Sequence, residues 1–425
     1  MSSKRRILTP VGAATGLFLI SVLAVACACL SVLGVKLSNA PVVPWQQLLP
    51  LGAYLVGVPI ALLWLRLMGW KGDAGLVGAV FLLSGMGLVI QFRMGSFTQG
   101  LAAPLALAPF PLGLAAFMVG ASLTGRGRGA WMSHAGWLAY LAAVGVLGAM
   151  LVLGRSFRGG LYLAGNLNPT EIVKPLLVFF LAAYLSLRQK EFSETQNGIP
   201  VPPFFVLLGL VILWGVPMVL TIALKDLGLM LLLNAILIVM LFAVARSTGY
   251  LAIGLAAVTA AGFGVQLISA HAQARFDVWL NPFADTTGKG WQILQALSAM
   301  YSGGLWGAGL GSGVPQAVPI VSSDFIYAAL AEEIGLAGCG LLLLVYAVLF
   351  SRGFRAAGAA RTPFERLLCV GLTGSLAVQT LLNVAGVTKA LPMTGITLPF
   401  ISHGGSSLIT TLFIAGLMVG LSDRK

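Results

Sequence analysis

Between Arg275 and Gln292 the sequence reads RFDVWLNPFADTTGKGWQ. Asp285 falls there in a polar, glycine-flanked bend that follows an apolar pair, Trp279-Leu280. A carboxylate so placed, with Arg275 and Lys289 close by in sequence, can take a proton from an incoming hydroxyl as a general base. The plainer role for the same residue is to cap a turn or the helix that follows, since Asp accepts readily from backbone N–H groups. Other motifs carry less. The run SGGLWGAGLGSG at 302–313 is glycine-rich, but no G-K-[ST] follows, and Val314 stands where G-x-G-x-x-G needs its third glycine. It reads as a tight turn that lets backbones approach each other or a substrate. His134, His271 and His403 are single and far apart, and Cys27, Cys29, Cys339 and Cys369 lie in apolar stretches without C-x-x-C spacing. Neither a metal site nor a disulfide framework is expected.

These residues must be positioned by an unusual chain. It has 425 residues, of which 58% are apolar and only 9% charged; mean hydropathy is +0.97. A soluble domain carries about a quarter charged residues, so a soluble enzyme and a disordered chain are both excluded. A spanning helix needs roughly 20 mostly apolar residues. Twelve such windows occur, at about 9–34, 49–68, 74–92, 100–123, 136–154, 170–187, 203–223, 227–245, 248–270, 325–351, 367–387 and 393–421. The expected fold is an all-α, polytopic transmembrane bundle of about 12 spans. Its longest polar connection, 271–324, lies between spans nine and ten and holds Asp285. Within it, WQILQALSAMY at 291–301 has helical spacing and suits the membrane interface, where Trp and Tyr are enriched. Lys4-Arg5-Arg6 ahead of the first apolar run could open a signal peptide, but the run is long and no clean cleavage site ends it, so a retained anchor is expected.

Charge gives orientation. With the N-terminus inside, 16 of the 25 basic residues fall in cytoplasmic segments, most of them short, as the positive-inside rule requires. Both termini are then cytoplasmic and the 271–324 loop is outside. Of the 12 acids, seven (Glu171, Asp226, Asp277, Asp285, Asp324, Glu332 and Glu333) lie on the outer side or in the outer half of a span. Ionisable groups at membrane depth are costly and mark function, so any chemistry belongs to the outer face. The net charge of +13 is an orientation signal and not a nucleic-acid signal, because the cations are scattered singly.

Four blocks, in order, resemble the SEDS family (the RodA/FtsW/SpoVE group). Asn168-Pro169-Thr170-Glu171 with Lys174 resembles its Q-P-S-E-x-x-K, and Lys225-Asp226-Leu227-Gly228 its P-D-L-G. Ser322 to Tyr327 followed by Glu332-Glu333-Ile334-Gly335 resembles H-T-D-F-I-F and E-E-x-G; Ile401 to Ser407 resembles I-S-Y-G-G-S-S. The resemblance covers roughly 73–425 and implies a ten-helix glycosyltransferase core, with residues 1–72 as a two-helix N-terminal extension. It implies peptidoglycan polymerisation from lipid II on the outer face of the bacterial plasma membrane, by inverting transfer with release of undecaprenyl pyrophosphate. The implied partners are the growing glycan strand, a class B penicillin-binding protein, other elongation or division proteins and membrane lipids. No cofactor is certain; a divalent cation, Mg or Mn, is the one to test.

The family's essential Asp matches Asp285, and Asn281, Pro282, Gly288, Gly290 and Gln292 match its neighbours. Residues expected to bind substrate are Arg275, Asn281, Lys289, Gln292, Glu171, Lys174, Lys225, Asp324, Ser402, Gly404, Gly405 and Ser406. Ser322, Thr286, Lys225, Trp291 and His403 depart from the family pattern, which bears on the subgroup and the shape of the groove. Gly386-Val387-Thr388-Lys389 ahead of Pro392 is closer to RodA-like members. Two other classes compete: a precursor flippase or other transporter using acids such as Asp226 and Glu333, and a non-catalytic scaffold that would tolerate loss of Asp285.

Overall fold

The computed structural model describes residues 10–39, 49–96, 108–125, 132–157, 160–162, 168–196 and 199–423. Of the basic residues used to orient the chain, Lys4, Arg5, Arg6, Arg126, Arg128, Arg158, Arg424 and Lys425 lie outside the described residues.

Apolar sequence becomes helix here because a backbone in hydrocarbon must satisfy its own hydrogen bonds. The helices are α1 (Pro10–Asn39), α2 (Leu49–Leu67), α3 (Ala74–Met94), α4 (Pro109–Thr124), α5 (Gly136–Leu153), α6 (Thr170–Leu187), α7 (Phe204–Ala223), α8 (Leu227–Ala245) and α9 (Thr248–Ile268). In the long connection come α10 (Ala270–Leu280) and α11 (Trp291–Gly303), and then α12 (Ile326–Gly358), α13 (Pro363–Val387) and α14 (Gly405–Leu421). Among the described residues nine helices are long and apolar enough to cross a membrane, and three shorter apolar ones, Pro109–Thr124, Thr248–Gly264 and Gly405–Leu421, complete the expected twelve. Two small hairpins, β1 (Arg155–Phe157) with β2 (Gly160–Tyr162) and β3 (Thr195–Gln196) with β4 (Ile199–Pro200), fill loops.

Without a hydrophobic drive between helices in lipid, close packing depends on small residues. A Cβ on Gly416 of α14 would overlap Phe117 O of α4, and one on Gly120 of α4 would sit 2.7 Å from Phe413 O. Thr124 Oγ1 donates to Leu417 O across the same seam (2.9 Å). The helix α3 is buried along most of its length. The first two helices pack on it: Leu17 and Val25 of α1 lie against Gly78 and Gly85, and Tyr54 Oη of α2 donates to Phe81 O (3.0 Å).

One expected boundary is corrected. The last span begins at Gly405, not near residue 393, and residues 388–404 are not helical. Pro392, Gly395, Pro399 and Gly404 interrupt a stretch that a hydropathy window still scores as apolar. Side chains satisfy the freed carbonyls: Gln379 Nε2 donates to Thr397 O (3.0 Å), Asn383 Nδ2 to Ile396 O (2.7 Å), Gln91 Nε2 to Ile401 O (2.8 Å) and Tyr346 Oη to Pro399 O.

The glycine-rich run is also explained. Helix α12 is broken at Gly335 (φ 67°, ψ −177°). A strap, residues 304–314, lies in the break. Ala308 N and Gly309 N donate to Glu332 O and Glu333 O, while Leu336 N and Ala337 N donate to Gly304 O and Leu305 O. Gly307 and Gly335 meet backbone to backbone, each at positive φ, with no room for a Cβ on either. The expectation that backbones approach each other here holds.

Candidate active site

Asp285 is positioned by its own neighbours. Asn281 ends α10, its Oδ1 accepting from Phe283 N (3.2 Å), and Pro282 starts a 3-10 turn that closes on Asp285. Gly288 N donates to Asp285 Oδ1 (2.8 Å) and Lys289 N to Oδ2 (2.9 Å). Asp285 therefore does cap its turn. The carboxylate is nevertheless exposed, and each oxygen has acceptor capacity left. A Cβ on Gly288 would strike the Asp285 carboxylate, and one on Gly290 would overlap Pro282 O. The two glycines are thus demanded by the fit of the loop around the acid.

Helix α10 separates two cavities. On one face Asp277, Asn281, Asp285 and Lys289 border a hollow of about 300 Å³. On the other, Arg275, Phe276 and Trp279 line a groove of about 600 Å³, walled by Leu227, Met230 and Leu231 of α8, by α9 and by residues 391–394. Apart from Arg275, Asn234 and two threonines its walls are apolar. Two bonds anchor α10 beside it: Arg275 Nη1 donates to Met393 O (3.0 Å) and Trp279 Nε1 to Lys389 O (3.1 Å).

Charges from distant parts of the chain meet behind the groove. Lys174 Nζ pairs with Glu171 and donates to Gln379 Oε1 (2.9 Å). Gln379 reaches Thr397 Oγ1 (3.2 Å), which shares a hydrogen bond with Ser407 Oγ (2.8 Å). Asp226 caps α8 through Leu229 N (2.9 Å). Burial pushes its carboxyl above the usual range; Glu171 adds to the rise, while Arg275 and Lys174 oppose it. Burial likewise lowers Arg275, against the attraction of Asp226 and Asp324. Glu171, Lys174, Asp226, Arg275 and Asp324 are therefore one electrostatic cluster of three acids and two cations.

The twelve residues expected around Asp285 divide accordingly. Glu171, Lys174, Arg275 and Asp324 are brought together, and Asn281 and Lys289 stay with Asp285. Gln292 is exposed on the first turn of α11, and Lys225 is exposed at φ 58° in the α7–α8 turn, outside the cluster. Ser402 is buried; its Oγ accepts from Leu398 N (2.8 Å) and donates to Ser323 O (2.6 Å), so it holds the 388–404 segment. Gly404 and Gly405 begin α14, and Ser406 Oγ accepts from Asn168 N (3.1 Å). Sequence reading missed Gln91, Gln379 and Asn383, which tether that segment, and placed Arg93 only by side. The available signal was an amide within an otherwise apolar span.

Comparison with known proteins gives this arrangement a family. Residues 74–425 match the family model for FtsW, RodA and SpoVE, described as cell cycle protein. The peptidoglycan glycosyltransferase RodA of Mycobacterium tuberculosis is 35% identical over 289 residues, 67% of this chain and 62% of that protein, so the match spans under two thirds of the relative's length. Stage V sporulation protein E of Bacillus subtilis is 36% identical over 263 residues, 61% of this chain and 69% of that one. Among solved structures, a chain of a peptidoglycan synthase complex that coordinates polymerization and crosslinking aligns with a TM-score of 0.64 and 27% identity, covering 82% of this chain and 96% of that one. The Thermus thermophilus rod shape determining protein RodA aligns at 0.56 with 26% identity, covering 83% and 98%. The chain is a multi-pass membrane protein, and it belongs to the FtsW/RodA/SpoVE family of cell cycle proteins.

Proposed function

We propose that this chain polymerises glycan strands from lipid II at the outer face of the bacterial plasma membrane. The observation that carries the reading is the pair of cavities on opposite faces of α10, an apolar groove ending at Arg275 and a polar hollow at Asp285. A prenyl chain fits the first, and a sugar hydroxyl fits the second. Relatives named peptidoglycan glycosyltransferase support the same reading.

In the proposed reaction Asp285 accepts the proton of the acceptor 4-hydroxyl. The oxygen forms the new bond to the donor's anomeric carbon as the carbon–oxygen bond to pyrophosphate breaks, and undecaprenyl pyrophosphate leaves with the electron pair. One displacement inverts the anomeric centre. The base assists by about 10²–10⁴, and holding two lipid-anchored reactants in one site supplies orientation. Arg275 and Lys174 stabilise phosphate charge by charge-assisted bonds; Lys289 borders the same hollow as the base. A divalent cation, Mg or Mn, would act on the same pyrophosphate, and omission of metal with added chelator tests it.

Residues 1–72 serve as an extension on the core 73–425, both termini are cytoplasmic, and the partner is a class B penicillin-binding protein. RodA-like identity is favoured by Gly386–Lys389. A flippase is disfavoured by acids gathered at one end of the bundle instead of mid-depth. Purified protein supplied with lipid II, with and without its transpeptidase, tests the reading. Wild type is expected to make glycan and Asp285→Ala to make none while remaining folded. Unchanged polymer from the variant, or lipid movement across liposomes without polymer, would overturn it.

A further inference from the structure

Three charged side chains are committed to the strap, away from both cavities. Arg93, at the end of α3, donates from Nη2 to Gly313 O (2.7 Å) and from Nε to Glu333 Oε1 (2.7 Å). Its side chain is 11% exposed and that of Glu333 is fully buried. Glu332 Oε1 accepts from Val314 N (2.8 Å), and Ser31 Oγ of α1 donates to Leu310 O (3.3 Å). Glu332 Oε2 and Glu333 Oε2 are buried without a hydrogen-bond partner. Two buried carboxylates against one guanidinium are a costly way to hold a loop, since desolvation offsets much of the attraction. Apolar packing could fill the same space. What the charges add is direction: the guanidinium fork fixes the strap's carbonyl and the acid in one plane.

The strap continues α11. At its start, Gly303 lies against the Ala331 and Glu332 backbone, too close for a Cβ. The other end of α11 follows the turn that holds Asp285. A 13-residue helix is a stiff rod of roughly 20 Å, and it links the strap to the turn at Asp285. Misplacement of a catalytic group by about 1 Å can lower turnover by about 10². We infer that Arg93 is a positioning residue for polymerisation: by clamping the strap to α3 and to broken α12 it sets where Asp285 stands. This rests on the polymerase reading.

Arg93→Lys keeps the charge beside Glu333 but loses the fork; the Arg93→Gln/Glu332→Gln/Glu333→Gln triple variant removes the clamp without leaving a bare buried charge. Each variant is compared with wild type for thermal unfolding, the stoichiometry of fluorescent lipid II binding, and polymerisation per lipid II-binding molecule. Amide exchange is followed alongside over the whole chain, residues 291–314 included. Both variants should unfold near the wild-type temperature and bind lipid II at wild-type stoichiometry. Turnover per binding molecule should fall roughly 10–100-fold, less for Arg93→Lys, with faster exchange confined to the strap and α11. Wild-type turnover per binding molecule in both variants would overturn the inference, as would losses of turnover that track losses of binding or of global protection. Absence of polymer from the wild type would instead strike the functional reading, and the inference with it.

Discussion

At the two ends of the bundle the same residue types solve different problems. At the end away from the long loop, charges cap helix termini and tie neighbouring helices together in pairs. Asp73 caps α3 through Gly75 N and Leu76 N and pairs with Arg352 at 3.2 Å. Thr362 and Glu365 form a reciprocal capping box on α13. Trp70 Nε1 and Lys71 N tie the link between α2 and α3 to Val419 O and Asp423. Each contact is accounted for by the helix terminus it closes or the neighbouring helix it ties in. At the loop end, Glu171, Lys174, Asp226, Arg275 and Asp324 arrive from four separate parts of the chain. Only the Asp226 cap is needed to finish a helix. Gathering acids and cations in a desolvated place costs stability and is expected where a charged ligand is handled. The contrast separates charge used to build from charge used to bind.

Substitutions can break or sharpen that contrast. The largest loss should follow Asp285→Asn, which retains one acceptor for the turn but no base. Polymerisation should fall by about 10²–10⁴ with little change in unfolding temperature, and a loss under tenfold would remove Asp285 from the chemistry. Next, Lys174→Met removes the buried partner of Glu171, whose own side chain is 18% exposed, a kind of change that costs at most roughly 3–5 kcal/mol. Stability in detergent and activity should fall together. Adding Glu171→Gln should restore stability without restoring turnover; recovery of both would make the pair purely architectural.

Asp226→Asn should act more gently, because Asn caps a helix about as well as Asp. The buried wild-type carboxyl resists ionisation in the folded state, so its contribution is fully present below the unfolded-state value and is lost as pH rises through the raised folded one. The Asn variant should therefore unfold at a higher temperature than wild type at pH 8, and the gap should close near pH 4. A gap that widens with acid would contradict the burial. The smallest effect belongs to Asp73→Ala at the other end. Loss of its cap should cost about 0.5–2 kcal/mol and leave turnover at permissive temperature near wild type. A large loss of turnover there would erase the distinction between the two ends.

Much of this was legible from residue types. The twelve spans followed from apolar windows because a bilayer forces helix on any long apolar segment. Asp285 and its glycines stood out because the turn is local, so its requirements lie within a few residues of one another. The start of the last span was misplaced by about three turns, since hydropathy weighs Pro392 and Gly395 with their apolar neighbours and is blind to the broken backbone. Gln379 and Asn383, which make that break tolerable, carry no motif of their own. The role of Ser402 was also hidden, because a serine in a family block looks the same whether it faces a ligand or the back of a loop.

The sequence by itself determined the class of molecule, the number of spans and the local turn that presents Asp285. These depend on solvent partition and short-range geometry, both of which act on neighbouring residues. Only the tertiary structure decided that α10 divides an apolar groove from the Asp285 hollow. The same is true of the cluster joining Glu171 to Arg275 and of the clamp by Arg93 on Gly313 of the strap, 220 residues away in sequence. Those facts depend on which helices pack together, and in lipid that is settled by glycine contacts and interhelical hydrogen bonds between residues hundreds of positions apart.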